Sequence, residues 1–424
     1  MPVIPSRFPA SAQDQVNYLM RRGGNQQLHC VMTLDGQVDA KRIVQAVHLS
    51  LDAEPVLGCR FVEHPRRPYW ERCDDLVHLP LCRVVEAQEP ETAIWRFVTT
   101  PMDSSTGARV QVRVFRSARD VLCVKVDHVA ADISGTKRYV YLLVEIYRRL
   151  AADPGYRPQP NLHGSRGQGQ ILRQFRSWTL LKALLGSFNP TPAWHFPSQE
   201  HDRSSQTFAV HRIGPERFRT IKEHGQKFQA SLNEVLLTAF YRALFEVIDP
   251  PTGVPLPVLV PVDLRRYLPE ARAEAVCNLS GIVLPAISRE GDAGFDDTLI
   301  RVQQAMHPLK TNNPGLGAAM LLELAFLPGF RPMQRRVSSP EDRLSQTHPN
   351  LSNFGVIDPQ QVNFDPVPVT DAYLLSPVLY PPGFMLGVST YRQTVTFSVG
   401  FCDSATNRRK VERFLDLFEA ELPD

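Results

Sequence analysis

Two rhythms of hydrophobic residues run through the early part of this chain, and each marks a different element. Strict alternation occurs at Val110, Val112 and Val114, and again at Leu122, Val124 and Val126. A period of two sends successive side chains to opposite faces, so "ARVQVRVFRS" and "DVLCVKVDH" read as strands. "QLHCVMTLDGQ" and "GCRFVEH" read the same way. The second rhythm is helical. Ile43, Val44, Val47 and Leu51 form a stripe after Asp39, a residue type that caps helices well. From about Ser134 to Ala151, Val140, Leu143, Val144 and Tyr147 share one side, and Tyr139, Leu142, Ile146 and Leu150 widen it. An apolar face that broad predicts a helix buried between layers.

After Ala152 both rhythms lapse. "DPGYRPQPNLHGSRGQGQ" and "GSFNPTPAWHFPSQEHDRSSQ" are rich in Pro, Gly and Gln, with only "ILRQFRSWTLLKALL" helical in character between them. Such text reads as a linker. The pattern then restarts with a strand, "QTFAVHRIG", a helix, "PERFRTIKEHGQ", and a strongly amphipathic helix, "SLNEVLLTAFYRALFEVI", capped by Ser231. "PLPVLVPVDLR" and "SGIVLPAIS" are buried-strand candidates, and a helix covers about 294 to 309. "TNNPGLGAAMLLELAFLPGFRPMQRRV" is apolar but broken by Gly and Pro. "LSNFGVID" and "MLGVSTYRQTVTFSVGFCD" read as strands, and "ATNRRKVERFLDLFEAEL" as the closing helix. Strands and covering helices in both halves predict an α/β (α+β) fold of two similar lobes, 1–175 and 206–424, joined by a linker at 176–205.

Composition narrows the classes without choosing one. The formal net charge is +3 and charged residues make up 21%, a balance too even to argue for nucleic acid. The opening residues lack the apolar core of a signal peptide, and no run of about 18 apolar residues exists, so no membrane span is expected. Seven cysteines, odd in number and without a CxxC pair, predict a reduced, cytoplasmic protein. Cys59, His64, Cys73, His78 and Cys82 match no zinc spacing, so no metal is expected.

The candidate chemistry lies in "VKVDHVAADISG". His128 ends a strand and Asp132 precedes a helix, four residues apart. Taken alone, that spacing fits a structural histidine and a capping aspartate. Position favours more. Binding and catalytic groups collect in the connections that leave rigid elements. Ala130 and Ala131 are small enough for close approach to the backbone. A helix start favours negative charge at Asp132.

This stretch resembles the HHxxxDG motif of the chloramphenicol-acetyltransferase-like superfamily, which includes nonribosomal-peptide condensation domains, polyketide-associated acyltransferases, wax ester synthases and alcohol acyltransferases. "SLNEVLLTAFYRALFEV", "VLVPVDLRRYLPE", "NLSGIVLPAIS" and "LSNFGVID" resemble further segments of that group, in the same order. The resemblance implies two lobes in a V with a tunnel between them, where donor and acceptor meet at the motif histidine. It implies that His128 is a general base, taking the proton of an acceptor hydroxyl or amine that attacks an acyl thioester. A free imidazole titrates near about 6.5, which suits that task. It implies that Asp132 pairs with an arginine, matched by Arg265 with Arg266 as its rival. Asn353 and Gly355 match a Ser-Asn-x-Gly segment and would support the site. Asp127, Ile133, Gly135, Asn278 and Ser352 are candidates to line the tunnel.

Two positions depart from the motif. Asp127 stands where the first histidine would be, and Ile133 where the glycine would be, with Gly135 two residues late. An aspartate beside the base raises its pKa if the side chains meet, although strand alternation points them apart. A β-branched residue resists positive φ, so the loop at Ile133 is expected to narrow the tunnel or to turn differently. The resemblance therefore implies an acyltransferase of secondary metabolism, acting as a monomer. Its co-substrate would be acyl-CoA or an acyl-phosphopantetheine carrier protein supplied in trans, with a small-molecule acceptor and no bound cofactor. Amide formation by a stand-alone condensation enzyme, and a catalytically silent binding protein, are the competing readings.

Overall fold

The computed structural model describes residues 3–76, 78–102, 107–185, 194–199, 203–291, 293–337 and 348–424. The alternating stretches form neighbouring strands, Val110–Arg116 and Val121–Asp127, paired antiparallel with Val112 opposite Val124. Gln27–Leu34 lies on the other side of Val121–Asp127, and Cys82–Glu86 runs parallel to Val110–Arg116 at one edge. The alternating valines face the helices Ala40–Ala53 and Ile133–Ala152, which pack against each other on the sheet. Ile43, Val47, Leu143, Val144 and Val124 are all buried in this first core. Each such side chain contributes about 1.5–3 kcal/mol relative to exposure.

The central strand, Val121–Asp127, is buried on both faces. Helix Pro90–Thr99 and Phe208 of strand Gln206–Ile213 cover the second face, enclosing Cys123 and Lys125. Lys125 Nζ donates to the carbonyls of Phe97 at 2.7 Å and Thr100 at 2.6 Å. Burial pushes its pKa down to about 8.

A second sheet is built around Thr394–Cys402, which pairs antiparallel with both Met385–Tyr391 and Gln206–Ile213. Asn350–Val356 runs parallel to Met385–Tyr391 at its edge. The helices Pro215–Lys227, Leu232–Ile248, Phe295–Thr311 and Arg408–Glu421 help form the second core, where Phe240, Phe384, Phe414 and Phe418 meet. Ser231 caps its helix as expected, in a reciprocal pair with Glu234.

Two features escaped the sequence reading. The halves exchange strands: Val369–Leu375 joins the first sheet beside Gln27–Leu34, and Gly24–Asn25 pairs with Val378–Leu379 in the second. Each exchange covers an edge that would otherwise present unpaired backbone. The Pro-, Gly- and Gln-rich stretches around the expected linker are also packed where they are described. Gln168, Gln170 and Ile171 are buried, and Phe196 stacks on Phe384 with ring centroids 3.9 Å apart. Their polar, Pro-rich composition hides single anchors that periodicity cannot register.

Candidate active site

Asp132 is the N-cap of helix Ile133–Ala152, and its Oδ1 accepts from the Gly135 amide at 2.7 Å. Arg265 grips the same carboxylate with two nitrogens, each at 3.0 Å. The Leu279 amide (2.7 Å) and Ser280 hydroxyl (3.1 Å) complete the set. Burial alone would raise this carboxyl, but the charge and hydrogen bonds of Arg265 and the two amides outweigh it and hold the pKa below the ordinary value. Arg265 also donates to Cys277 O at 2.7 Å and to Asp263 at 3.0 Å. Arg266 is exposed and lies over the Tyr267 ring instead. The pair joins the motif helix to the segment 263–280 of the second half.

His128 sits in the turn just after strand Val121–Asp127 and is half-buried. Its amide donates to Gln26 O at 2.9 Å. Its ring is held from one side only. Asn278 is wholly buried, and its Nδ2 donates to Val129 O at 2.9 Å and to Asp14 Oδ1 at 3.3 Å. Those two acceptors fix the amide, so Asn278 Oδ1 faces His128 Nδ1 at 3.3 Å. A carbonyl oxygen only accepts, so this contact favours the tautomer with the proton on Nδ1 and the lone pair on Nε2. Asn17 Nδ2 lies 3.2 Å from the same ring nitrogen and argues for the other tautomer. Its NH2 group has two N–H bonds and donates to the His128 carbonyl at 3.0 Å as well, so the two ring contacts favour opposite tautomers. Among the described residues, nothing hydrogen-bonds Nε2.

Three residues under the histidine were missed in the sequence. Asp14 and Asn17 come from helix Ala12–Met20, and Arg166 from the first Pro- and Gly-rich stretch. Asp14 is wholly buried and accepts from Trp70 Nε1 at 3.0 Å and Arg166 at 3.3 Å. Arg166 also donates to Ala130 O at 2.8 Å, which ties down the turn behind His128. A signal for the helix existed: Ser11 and Asp14 form a reciprocal capping box.

The other candidates occupy distinct places. Asp127 does not reach the histidine ring. Its carboxylate pairs with buried Arg109 at 2.8 Å and accepts the Val129 amide at 3.0 Å. Ile133 is the first residue of the helix, where no positive φ is required, so the missing glycine neither strains nor diverts the turn. Close approach falls on Gly135, where a Cβ would stand 2.6 Å from Cys277 O. Gly355 has φ +73° at a bulge in the strand Asn350–Val356, and its amide donates to Asn353 at 2.8 Å. Asn353 also donates to Asn233 at 2.6 Å, and Ser352 is buried. Lys137 of the motif helix donates to Phe354 O at 2.6 Å, so this segment is docked on that helix. Neither Asn353 nor Gly355 bonds to His128. A surface pocket of about 570 Å³, lined by Arg7, Arg60, Glu71, Arg72 and Cys73, contains none of these groups.

Comparison with known proteins agrees on architecture. No family model matches the sequence, and no curated protein matches it. Solved structures do. The first condensation domain of the calcium-dependent antibiotic synthetase is similar with TM-score 0.72 and 16% identity, over 97% of this chain and 95% of that one. Trichothecene 15-O-acetyltransferase from Fusarium sporotrichioides is similar with TM-score 0.72 and 10% identity, over 98% and 94%. Polyketide synthase associated protein 5 from Mycobacterium tuberculosis follows with TM-score 0.66 and 14% identity, over 97% and 98%. The chain has the fold shared by condensation domains and CoA-dependent acyltransferases.

Proposed function

We propose that this chain is an acyltransferase in which His128 is the general base. The observation that carries the reading is the state of the imidazole: Nδ1 faces Asn278 Oδ1, while Nε2 has no hydrogen-bond partner among the described residues. Nε2 takes the proton of an acceptor hydroxyl or amine as that atom attacks the thioester carbonyl. The tetrahedral intermediate collapses with cleavage of the C–S bond. The thiolate leaves and takes the proton from the imidazolium, so the base is regenerated and the thiol released. The donor is acyl-CoA or an acylated carrier protein. The halves 1–175 and 206–424 act as two lobes through which donor and acceptor approach from opposite sides.

Asp132 has no part in proton transfer in this reading. It secures the turn that carries His128 against the second half. Asn278 is a positioning residue that favours the reactive tautomer. The free thiols of all seven cysteines suit a reducing cytoplasm.

The test is release of free thiol from a mixed acyl-CoA pool, and separately from acylated carrier proteins, by the parent protein and by His128→Gln. Release by the parent that falls by about 10²–10⁴-fold in the variant is expected. No release from either donor class, or equal release by the variant, overturns the reading. Amide formation remains the second reading, because the condensation domain and the acetyltransferase match with equal TM-scores of 0.72. Competing hydroxyl and amine acceptors in the same assay separate the two.

A further inference from the structure

The apolar segment broken by Gly and Pro folds into two short helices, Leu316–Ala325 and Phe330–Val337, bent by 106° at the break. Its inner side is used: Leu316, Ala319, Phe326 and Phe330 are buried. Its outer side is not. Leu321, Leu324 and Leu327 repeat every third residue and are exposed, with Leu327 at the corner 77% exposed. Helix Ser177–Leu185 packs beside Leu316–Ala325 and adds exposed Leu181 and Trp178, the latter 75% exposed. Exposed apolar residues gathered on adjoining helices are the composition of an interaction site.

The corner is held firmly in this exposed position. Phe330 anchors it in a ring cluster with Tyr18 and Phe61. Gly329 has φ +106°, and a Cβ there would stand 3.0 Å from the Arg66 backbone. The Arg331 amide donates to Pro65 O at 2.9 Å. Around it stand exposed Arg66, Arg67, Arg331, Arg335 and Arg336, with exposed Lys182 on the neighbouring helix. Two acids lie in these segments. Glu63 already accepts from Tyr18 and Gln334, each at 2.9 Å, and Glu323 is partly buried. A chain of net charge +3 thus gathers a basic rim around this exposed apolar corner.

We propose that this face docks on an anionic lipid surface, with Leu324, Leu327 and Trp178 entering the interface and the arginines meeting the headgroups. An apolar centre with a basic rim is the composition that lies in a membrane interface. Neither helix spans a bilayer alone: helices of 10 and 8 residues are about 15 and 12 Å long, against a hydrocarbon core of about 30 Å, and the 106° bend keeps them from forming one straight run. A second copy is a poor occupant, because a two-fold contact sets each basic rim against its own image. Helix Ala12–Met20, which carries Asp14 and Asn17 beneath His128, packs against both helices, so the face lies at the histidine's end of the first half. The inference does not rest on the acyl-transfer reading.

The test is co-sedimentation of the full chain with phosphatidylcholine vesicles, with and without about one third phosphatidylglycerol. Binding to the anionic vesicles is expected to be at least about tenfold tighter and to weaken as salt is raised. Tryptophan emission should shift to the blue on binding, and that shift should vanish in Trp178→Phe. Combined Leu324→Glu and Leu327→Glu should abolish pelleting, and combined Arg331→Glu and Arg335→Glu should weaken it about tenfold or more. These side chains are exposed, so the melting temperature should hold in each variant, which separates lost docking from lost folding. Equal pelleting with and without phosphatidylglycerol, no pelleting, or variants that bind like the parent overturn the proposal. A dimer dispersed by Leu324→Glu and Leu327→Glu in the absence of vesicle binding also overturns it, and assigns the face to a second copy.

Discussion

His128 and Asp132 stand four residues apart across one turn, and the fold treats them in opposite ways. Asp132 is buried and accepts five hydrogen bonds, two of them from one guanidinium. His128 is half-buried, held at its backbone and at Nδ1, with Nε2 open. A buried carboxylate with every lone-pair direction engaged has no capacity left for a substrate, so its contribution is to stability. An imidazole bonded at Nδ1, with no partner for Nε2 among the described residues, keeps one ring nitrogen uncommitted. Four residues therefore separate a saturated ion pair from an imidazole with one uncommitted nitrogen, the feature on which the proposed base role rests.

The largest expected effect tests the structural side. Asp132→Asn removes the charge and leaves Arg265 buried, and Arg265→Ala does the reverse. Each should cost about 3–5 kcal/mol in urea unfolding, and the double variant should cost less than the sum. Additive losses would show that the two act separately and would break the comparison. The pH dependence has a fixed sign. A carboxyl whose folded pKa lies below its unfolded value stabilises fully above the unfolded pKa, near about 4. That stability fades as pH falls through the lowered folded value. Asp132→Asn should therefore flatten acid unfolding below about pH 4.

The chemical side predicts the opposite split. His128→Gln should lower transfer by about 10²–10⁴-fold while the urea midpoint stays near that of the parent. A stability loss as large as that of Asp132→Asn would mean that His128 is a packing residue after all. Gly135→Ala comes next. Its methyl would meet Cys277 O at 2.6 Å, backbone that cannot swing away, so about 1–3 kcal/mol should be lost. Asn278→Ala should reduce kcat about tenfold through the lost tautomer preference, a loss worth about 1.4 kcal/mol. KM should hold, because Asn278 is buried behind the ring, and a rise in KM alone would remove it from the positioning role. The smallest effect on activity belongs to Ile133→Gly. Restoring the motif glycine should bring no gain in rate; its stability cost combines about 1 kcal/mol of helix propensity with the lost packing of a partly buried side chain. A large gain in rate would show that Ile133 obstructs the site.

Much of this was open to a reader of the sequence alone. Strand and helix periods are local, so Val110–Arg116, Val121–Asp127 and the helices at 40–53 and 133–152 follow from spacing. The motif likeness also singled out His128, Asp132 and Arg265, and the last two do meet. The misreadings share a cause. Ile133 was judged by the φ that a motif glycine suggests, whereas the cap at Asp132 had already started the helix. The stretch around Arg166 was judged by its Pro and Gly content, whereas one guanidinium in it ties the histidine turn to helix Ala12–Met20.

What the chain's order of residues determined by itself is therefore the set of elements and the identity of the two motif residues, because propensity, capping and side-chain period act within a few positions. Only the tertiary structure decided which groups surround them. Asn17 lies 111 residues from His128 in sequence and Asn278 lies 150, and neither carries a local mark of that encounter. The strand Val369–Leu375 crossing to the first sheet is of the same kind. Hydrogen-bond partners at such separations are selected by packing of whole elements, since a buried donor or acceptor left unpaired costs about 1–3 kcal/mol and only the folded arrangement determines which groups are within reach.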